Sequence, residues 1–405
     1  AYSQALSYSD NIKKSIEIMD ELRKTTKTPA VYQESLRLYV IAGMYEKSLT
    51  LIKGAKERKI ILGDMHLRKA YFGNRMLKEA FESFMELVSK RRVEAYYSDK
   101  YFHVDEHTSA DNKLVLLAIF GPGDEIRFAS IYNLLASHLT QKHFTISCLP
   151  RLEKLFTRSF PNLKFISVSR PRNSEPINMK DYSRVLGSDL IGVINNIATD
   201  AIDNSDQVML VTDLLHKCLP DYSSFPGIAY LKHDQVKSES YRKKLPFDSK
   251  LVGLSWRSGL TTNSRNEHYL TIEELEPIFA IPGITFVNLQ YDECDSELNW
   301  VEERYPGKIV NLREIDQYND FDSVAALMKC MDLIIAPATT VLELAGALGC
   351  PSMLLSNSSE LHWRKIDEKG TDVWHRCVTH VEGKTLGDKQ SLVNELYTRL
   401  LTFSS

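Results

Sequence analysis

The sequence predicts an α/β protein of two facing, doubly wound Rossmann-like sheets behind an N-terminal helical segment. Three observations carry this. From Lys113 onward, short apolar runs alternate with amphipathic stretches at the spacing of parallel β-α units. A second series of the same kind begins at "SKLVGLSWRSG" (249–259). The first 95 or so residues hold no strand pattern at all. The expected divisions are a helical segment over 1–98, one sheet over 99–235, a second over 236–385 and a closing helix over 386–405.

Length and composition agree. The chain has 405 residues, too many for one ordinary core. Hydrophobic content of 43% and charged content of 25% are those of a globular protein. A net charge of -3 offers no basic stripe for nucleic acid, so none is expected as a partner. No apolar run approaches a membrane span, and no signal-peptide pattern is present. The six cysteines are scattered without a C-x-x-C, which removes zinc and redox motifs and fits a reducing cytoplasm. The chain lacks an initial Met and is treated as a candidate piece of a longer, multidomain protein.

In the first segment, "LRLYVIAGMYEKSLTLIKGA" and "LRKAYFGNRMLKEAFESFMEL" carry apolar residues at helical spacing and are loosely alike. Tyr39 matches Tyr71 and Ser48-Leu49 matches Ala80-Phe81, an offset near the period of tetratricopeptide helix pairs. The sheet elements follow in order. "KLVLLAIF" is a buried strand, "GPGDEIRFASIYNLLASHL" a glycine turn and helix, and "FTISCLP" and "LKFISVS" are strands around the helix "PRLEKLFTRSF". The second series continues through "ITFVNLQY", "KIVNLRE", "MDLIIAP", the helix "TTVLELAGALG" and "PSMLLS", and "SLVNELYTRLLTF" closes the chain.

Ligands of such sheets bind beyond the strand carboxyl ends, so those loops carry the candidate chemistry. After the first strand, Asp124 is placed to cap a helix, and Glu125 stands in its first turn as a candidate acid/base or as a partner of the helix dipole. Lys232, His233 and Asp234 cluster at the junction of the two sheets; an ion pair of Asp234 with Lys232 is the simplest reading. Arg257, Ser258 and Gly259, with Arg265 and His268, form a polar loop suited to an anion. Gln290 and Tyr291 end a strand where an amide and a ring could hold a nucleobase. Thr339 or Thr340 caps the next helix, with Glu343 completing a capping box, and the same helix end can bind phosphate. Ser358 and Ser359 arrive at the following strand end.

Taken together, "GPGDEIRFAS", "PRLEKLFTRSFPN", "VGLSWRSG", "FVNLQY", "NDFDSVAALMKCMDLIIAPATTVLELAGALGCP" and "SSELHWR" resemble, in order, bacterial tetratricopeptide-associated glycosyltransferases of the two-Rossmann (GT-B) type. The resemblance covers about residues 30 to 380. It implies a nucleotide-sugar donor on the C-terminal sheet and a glycan acceptor, lipid-linked at the inner membrane face in some relatives, entering from the N-terminal side. Arg257, Ser258, Gly259, Thr339, Thr340, Ser358, Ser359 and Lys232 would surround the donor phosphate, with Gln290 and Tyr291 near the base. The motif order is most similar to that of retaining β-Kdo transferases, which implies a CMP-ulosonate such as CMP-Kdo, Asp234 as nucleophile, His268 on the leaving phosphate and Glu125 as acid/base, without metal or other cofactor. A UDP-sugar or CMP-nonulosonate protein transferase, inverting, with Glu125 or His268 as base, is the second expectation. A non-catalytic repeat module is the third.

Overall fold

The computed structural model describes residues 12–170, 177–259, 269–357, 359–385 and 387–404. Helices Ile12–Thr25, Pro29–Ile41, Tyr45–Glu57, Asp64–Gly73 and Leu77–Glu82 form an antiparallel stack with its own core, centred on Leu36, Val40, Ile52 and Ala70. The internal repeat is visible in the turns. Gly43 and Arg75 both adopt a left-handed φ (68° and 59°), a conformation natural to glycine and costly for arginine. In each turn the following methionine N–H closes back on the matching tyrosine carbonyl, Met44 to Tyr39 at 2.8 Å and Met76 to Tyr71 at 2.9 Å.

The first sheet comprises β1 (Lys113–Leu117), β2 (His143–Cys148), β3 (Lys164–Ser167) and β4 (Gln207–Leu210), all parallel, in the order β3-β2-β1-β4. The second comprises β5 (Lys250–Leu254), β6 (Ile284–Asn288), β7 (Ile309–Val310), β8 (Leu333–Pro337), β9 (Ser352–Leu355) and β10 (Val378–Val381). Its order is β7-β6-β5-β8-β9-β10, again parallel throughout. Counted from β5, that is the doubly wound order 3-2-1-4-5-6, whose ligand crevice opens between β5 and β8. Strands β4 and β10 are additions to the elements read from the sequence. The apolar strand residues are covered on both faces, as parallel sheets require: Leu114 to Leu117 and Ile334 to Ala336 are buried. Among the described residues no helix is long and apolar enough to cross a membrane.

The two sheets meet along two pairs of helices. Helix Pro122–Phe128, after β1, packs on helix Thr340–Ala347, after β8. Gly123 permits this approach, since a Cβ there would lie 3.2 Å from Thr340 Oγ1. Helix Pro150–Ser159 lies against helix Phe321–Met328, where Asp322, almost fully buried, is held by Arg158, by Lys154 at 2.9 Å and by Lys237 at 3.1 Å. Gly346 allows a third close fit: a Cβ there would fall 2.3 Å from the His375 ring. A Gly346→Ala protein is therefore expected to lose about 1–3 kcal/mol through overpacking, read as a lower urea midpoint. An unchanged midpoint would show that this contact yields.

Candidate active site

At the crevice between β5 and β8, the chain leaves β5 through Ser255, whose N–H bonds Ile335 O on β8 at 3.0 Å. The segment that follows is fixed by one side chain. Gln290, 2% exposed, accepts at Oε1 from Ser255 Oγ (3.0 Å), Trp256 N–H (3.0 Å) and Arg257 N–H (3.3 Å). Its Nε2 donates to Arg257 O and to Asp292 Oδ1. Every donor and acceptor of this amide is committed, so Gln290 shapes the loop and is not available to read a base. Arg257 is committed as well. Its guanidinium pairs with Asp292 and Glu297 and donates to Glu293 O, which neutralises the charge expected to face a phosphate. Tyr291 turns its hydroxyl to Ser258 Oγ (3.3 Å) and accepts from Gly259 N–H (2.9 Å), placing Ser258, Gly259 and Tyr291 together on the lip of the crevice.

On the other side of the crevice, helix Thr340–Ala347 begins at the end of β8 with Thr339 as its N-cap residue. The expected capping box is absent. Thr339 makes no side-chain cap bond, and Glu343 is drawn away into a buried ionic cluster. Glu343 accepts from Arg364 (2.8 Å), lies 3.1 Å from His375 Nε2 and sits 3.5 Å from Arg127. Arg364, 1% exposed, also binds Asp372 through Nε at 2.7 Å and Nη2 at 3.2 Å, and Asp372 meets His380 Nε2 at 3.0 Å. Although burial works the other way, these cations hold both carboxyls below their usual range, and Arg364 is held above its own.

At the helix end itself, Thr339 Oγ1 is buried and has no hydrogen-bond partner among the described residues. A buried hydroxyl without a partner costs about 1–3 kcal/mol, and it stands here beside the free N–H groups and positive dipole of the helix start. The Gly121–Asp124 turn of the first sheet closes the same corner against Thr340. A helix start of this kind is suited to an anion.

The acid/base candidates divide clearly. Glu125 is 1% exposed, accepts from Leu149 N–H at 2.9 Å and is ion-paired with Arg170, so it ties the β1 and β2 loops together and faces no solvent. The exposed carboxylate of this turn is its neighbour Asp124, 37% accessible, held by Arg127 and next to the Gly123–Thr340 contact. In the sequence Asp124 reads as a helix cap, but the helix starts at Pro122 with Gly121 as its N-cap residue; the alternation of inward and outward residues in a first helical turn is the signal that separates the two carboxylates.

Asp234 caps helix Gln235–Arg242, accepting from Lys237 N–H at 3.1 Å, and pairs with Arg158 at 3.5 Å rather than with Lys232. The adjoining Tyr230 and Leu231 N–H groups bond Ala347 O, at the opposite end of helix Thr340–Ala347 from Thr339. The nucleophile position expected for Asp234 is thus a turn-stabilising one, an eight-residue helix away from the anion corner. Lys232 is exposed beside it. Ser359 is removed from the crevice too: it is buried under the helical stack, 3.0 Å from Tyr45 Oη, whose own pKa is pushed up to about 12 chiefly by burial. Lys69 and Glu360 (2.8 Å) and the stacked rings of Phe72 and Trp363 (4.1 Å) continue that seam. His268, Arg265 and Ser358 lie outside the described residues.

Comparison with known proteins places this geometry among others. No protein-family model matches the chain. Protein FlbA of Caulobacter vibrioides (strain ATCC 19089 / CIP 103742 / CB 15) is 27% identical over 305 residues, which cover 72% of this chain and 47% of FlbA. The chain thus spans about half the length of that curated relative. The glycosyl transferase family 9 structure from Veillonella parvula DSM 2008 matches with a TM-score of 0.51 at 12% identity, over 74% of this chain and 99% of that one. The E. coli ADP-heptose LPS heptosyltransferase II structure gives a TM-score of 0.47 at 13% identity, over 72% and 100% of the two chains. At such identities the likeness is one of fold. The chain has the α/β, two-Rossmann (GT-B) fold, shared with a glycosyl transferase family 9 structure and extended at its N-terminus by a helical stack.

Proposed function

We propose that the protein transfers a sugar from a nucleotide-activated donor, whose phosphate sits at the Thr339–Thr340 helix end, to a glycan or protein hydroxyl. The observation that carries the reading is the unpartnered, buried Thr339 Oγ1 at a helix start on the strand switch point of the second sheet. An anion there gains a hydroxyl donor and helix N–H groups that are already oriented, which is the arrangement that stabilises charge growing on a leaving phosphate. Asp124 is the base: it is the accessible carboxylate beside that corner, and Arg127 holds it in place. With Asp234 towards the far end of helix Thr340–Ala347 from Thr339, a single base supports inversion over the retaining route. The proton of the acceptor hydroxyl passes to Asp124 as the hydroxyl oxygen attacks the anomeric carbon and the bond to the nucleotide phosphate breaks. No step in this scheme is assigned to a metal.

The resemblance in the sequence makes a CMP-ulosonate such as CMP-Kdo the first donor to test, with CMP-nonulosonates and UDP-sugars next. Incubation of the 405-residue chain with each donor should release the nucleotide, accelerated by the right acceptor. Release from none of them above the rate of an unrelated protein would sink the reading. Thr339→Val keeps the shape of the side chain and removes the hydroxyl. It is expected to weaken nucleotide binding roughly tenfold or more, since a hydrogen bond to a charged group is worth about 1.5–3 kcal/mol. Equal affinities in a calorimetric titration would assign the phosphate elsewhere.

A further inference from the structure

A second cavity lies where the helical stack and both sheets meet, with a volume of about 150 Å³. The helical stack contributes Arg68, Phe72 and Phe84; the β1 loop and its helix contribute Phe120, Asp124 and Arg127; the segment after β9 contributes Trp363 and Trp374. The walls are ring faces at close quarters. Phe72 stacks on Trp363 at 4.1 Å, and Phe84 meets Phe120 and Phe128 edge-on at 5.6 and 5.9 Å. The Arg68 guanidinium lies 3.9 Å over the Phe84 ring, and that of Arg127 lies 5.4 Å over Trp374.

Three buried donors on these lining residues have no acceptor among the described residues: Arg68 Nη1, Arg127 Nε and Trp374 Nε1. They come from three different parts of the chain, so no single local turn accounts for them. Each costs about 1–3 kcal/mol while unpaired. The Arg68 guanidinium pairs with Asp64 at 3.3 Å and that of Arg127 with Asp124 and Glu343, so the lining offers a ligand its unpaired N–H groups rather than an excess of charge. A cavity of about 150 Å³ accommodates one six-membered ring.

We infer that this cavity binds a six-membered ring bearing a carboxylate, the ring held between the aromatic faces and the carboxylate by the Arg68, Arg127 and Trp374 N–H groups. The helical stack then supplies part of a small-molecule site, in addition to packing on the sheets. Sugar acids and aromatic acids share this chemistry. The inference goes beyond the transferase reading: its site uses neither Thr339 nor Thr340, although Asp124 and Arg127 line it as well.

The test is calorimetric titration of the full chain with glucuronate, benzoate, glucose and acetate, followed in parallel by tryptophan fluorescence. At least one ring acid is expected to bind about tenfold more tightly than both glucose and acetate, reflecting paired charge-assisted hydrogen bonds. Tighter glucuronate identifies a sugar acid and tighter benzoate an aromatic acid. Arg68→Met should reduce that affinity about tenfold and Trp374→Phe, which keeps an aromatic wall and removes one donor, by a smaller factor. Both variants are to be checked for wild-type urea midpoints, and Trp374→Phe decides the matter if Arg68→Met fails to fold. Ring acids that bind no better than glucose and acetate, or that bind Trp374→Phe and Arg68→Met as they bind wild type, would overturn the inference. Nucleotide binding measured on the same samples keeps the two claims apart: a chain that binds nucleotide and no ring acid contradicts only this one.

Discussion

An Asp124→Asn protein is expected to fold, to bind nucleotide with wild-type affinity and to lose about two to four orders of magnitude in transfer rate, the usual contribution of a positioned general base. The expectation rests on contrast within one helical turn. Glu125 spends its carboxylate on Leu149 N–H and Arg170 at 1% exposure, whereas Asp124 is accessible and pairs with Arg127. Asparagine keeps the shape and a hydrogen bond but cannot take a proton. A loss confined to kcat, with the nucleotide dissociation constant unmoved, is the signature of a base. Glu125→Gln should behave differently, lowering stability by leaving the buried Arg170 without its counter-charge. If Asp124→Asn transfers sugar at the wild-type rate, the base is another group.

Arg364→Ala is expected to destabilise the protein by about 3–5 kcal/mol, because it strands two buried carboxylates at once. Glu343 and Asp372 are 4% and 0% exposed, and Arg364 is the cation that touches both. Glu343 belongs to helix Thr340–Ala347 and Arg127 to helix Pro122–Phe128, so the same change loosens the joint between the two sheets. The pH dependence follows from the direction of the shifts. Asp372 is held at about 2 against an ordinary 3.8, so its contribution is fully present above the ordinary value and is lost as pH falls towards about 2. Wild type should therefore lose stability through this acid window, and Arg364→Ala should show a shallower dependence there. Urea midpoints at pH 7 and across the acid range give both numbers; unchanged midpoints at pH 7 would mean the cluster is solvated or rearranged.

How far the sequence carried these conclusions can be judged residue by residue. The sheet series was legible because parallel strands covered on both faces read as unbroken apolar runs, as in "KLVLL" and "DLIIAP". Strand β4 escaped because its apolar run continues without a break into the helical turns Val211–Leu214 and Leu215–Cys218, and β10 because "VTHV" carries His380, whose buried ring meets Asp372. The helix duplication was visible in Tyr39 and Tyr71, and the shared left-handed turn at Gly43 and Arg75 explains why sequence similarity there was loose: an arginine stands where a glycine would be expected.

The site was less legible for a physical reason. Residue type and strand-end position told which groups could meet an anion, but not which were already spent. Arg257 faces Asp292 and Glu297, Gln290 clamps its own loop, and Ser359 serves the helical stack. Glu343 looked like half of a capping box because the local spacing fits one; its actual partners, Arg364 and His375, lie 21 and 32 residues further on. Long-range pairing of charges is what a linear pattern omits.

The central claim is that the Thr339–Thr340 helix end holds the phosphate of a nucleotide-activated donor. Calorimetric titration of the full chain with cytidine monophosphate, uridine diphosphate and adenosine diphosphate tests it most directly. The account predicts that at least one of them binds at one site per chain and that inorganic phosphate competes with it. Three flat titrations, or nucleotide binding that phosphate does not displace, would contradict it.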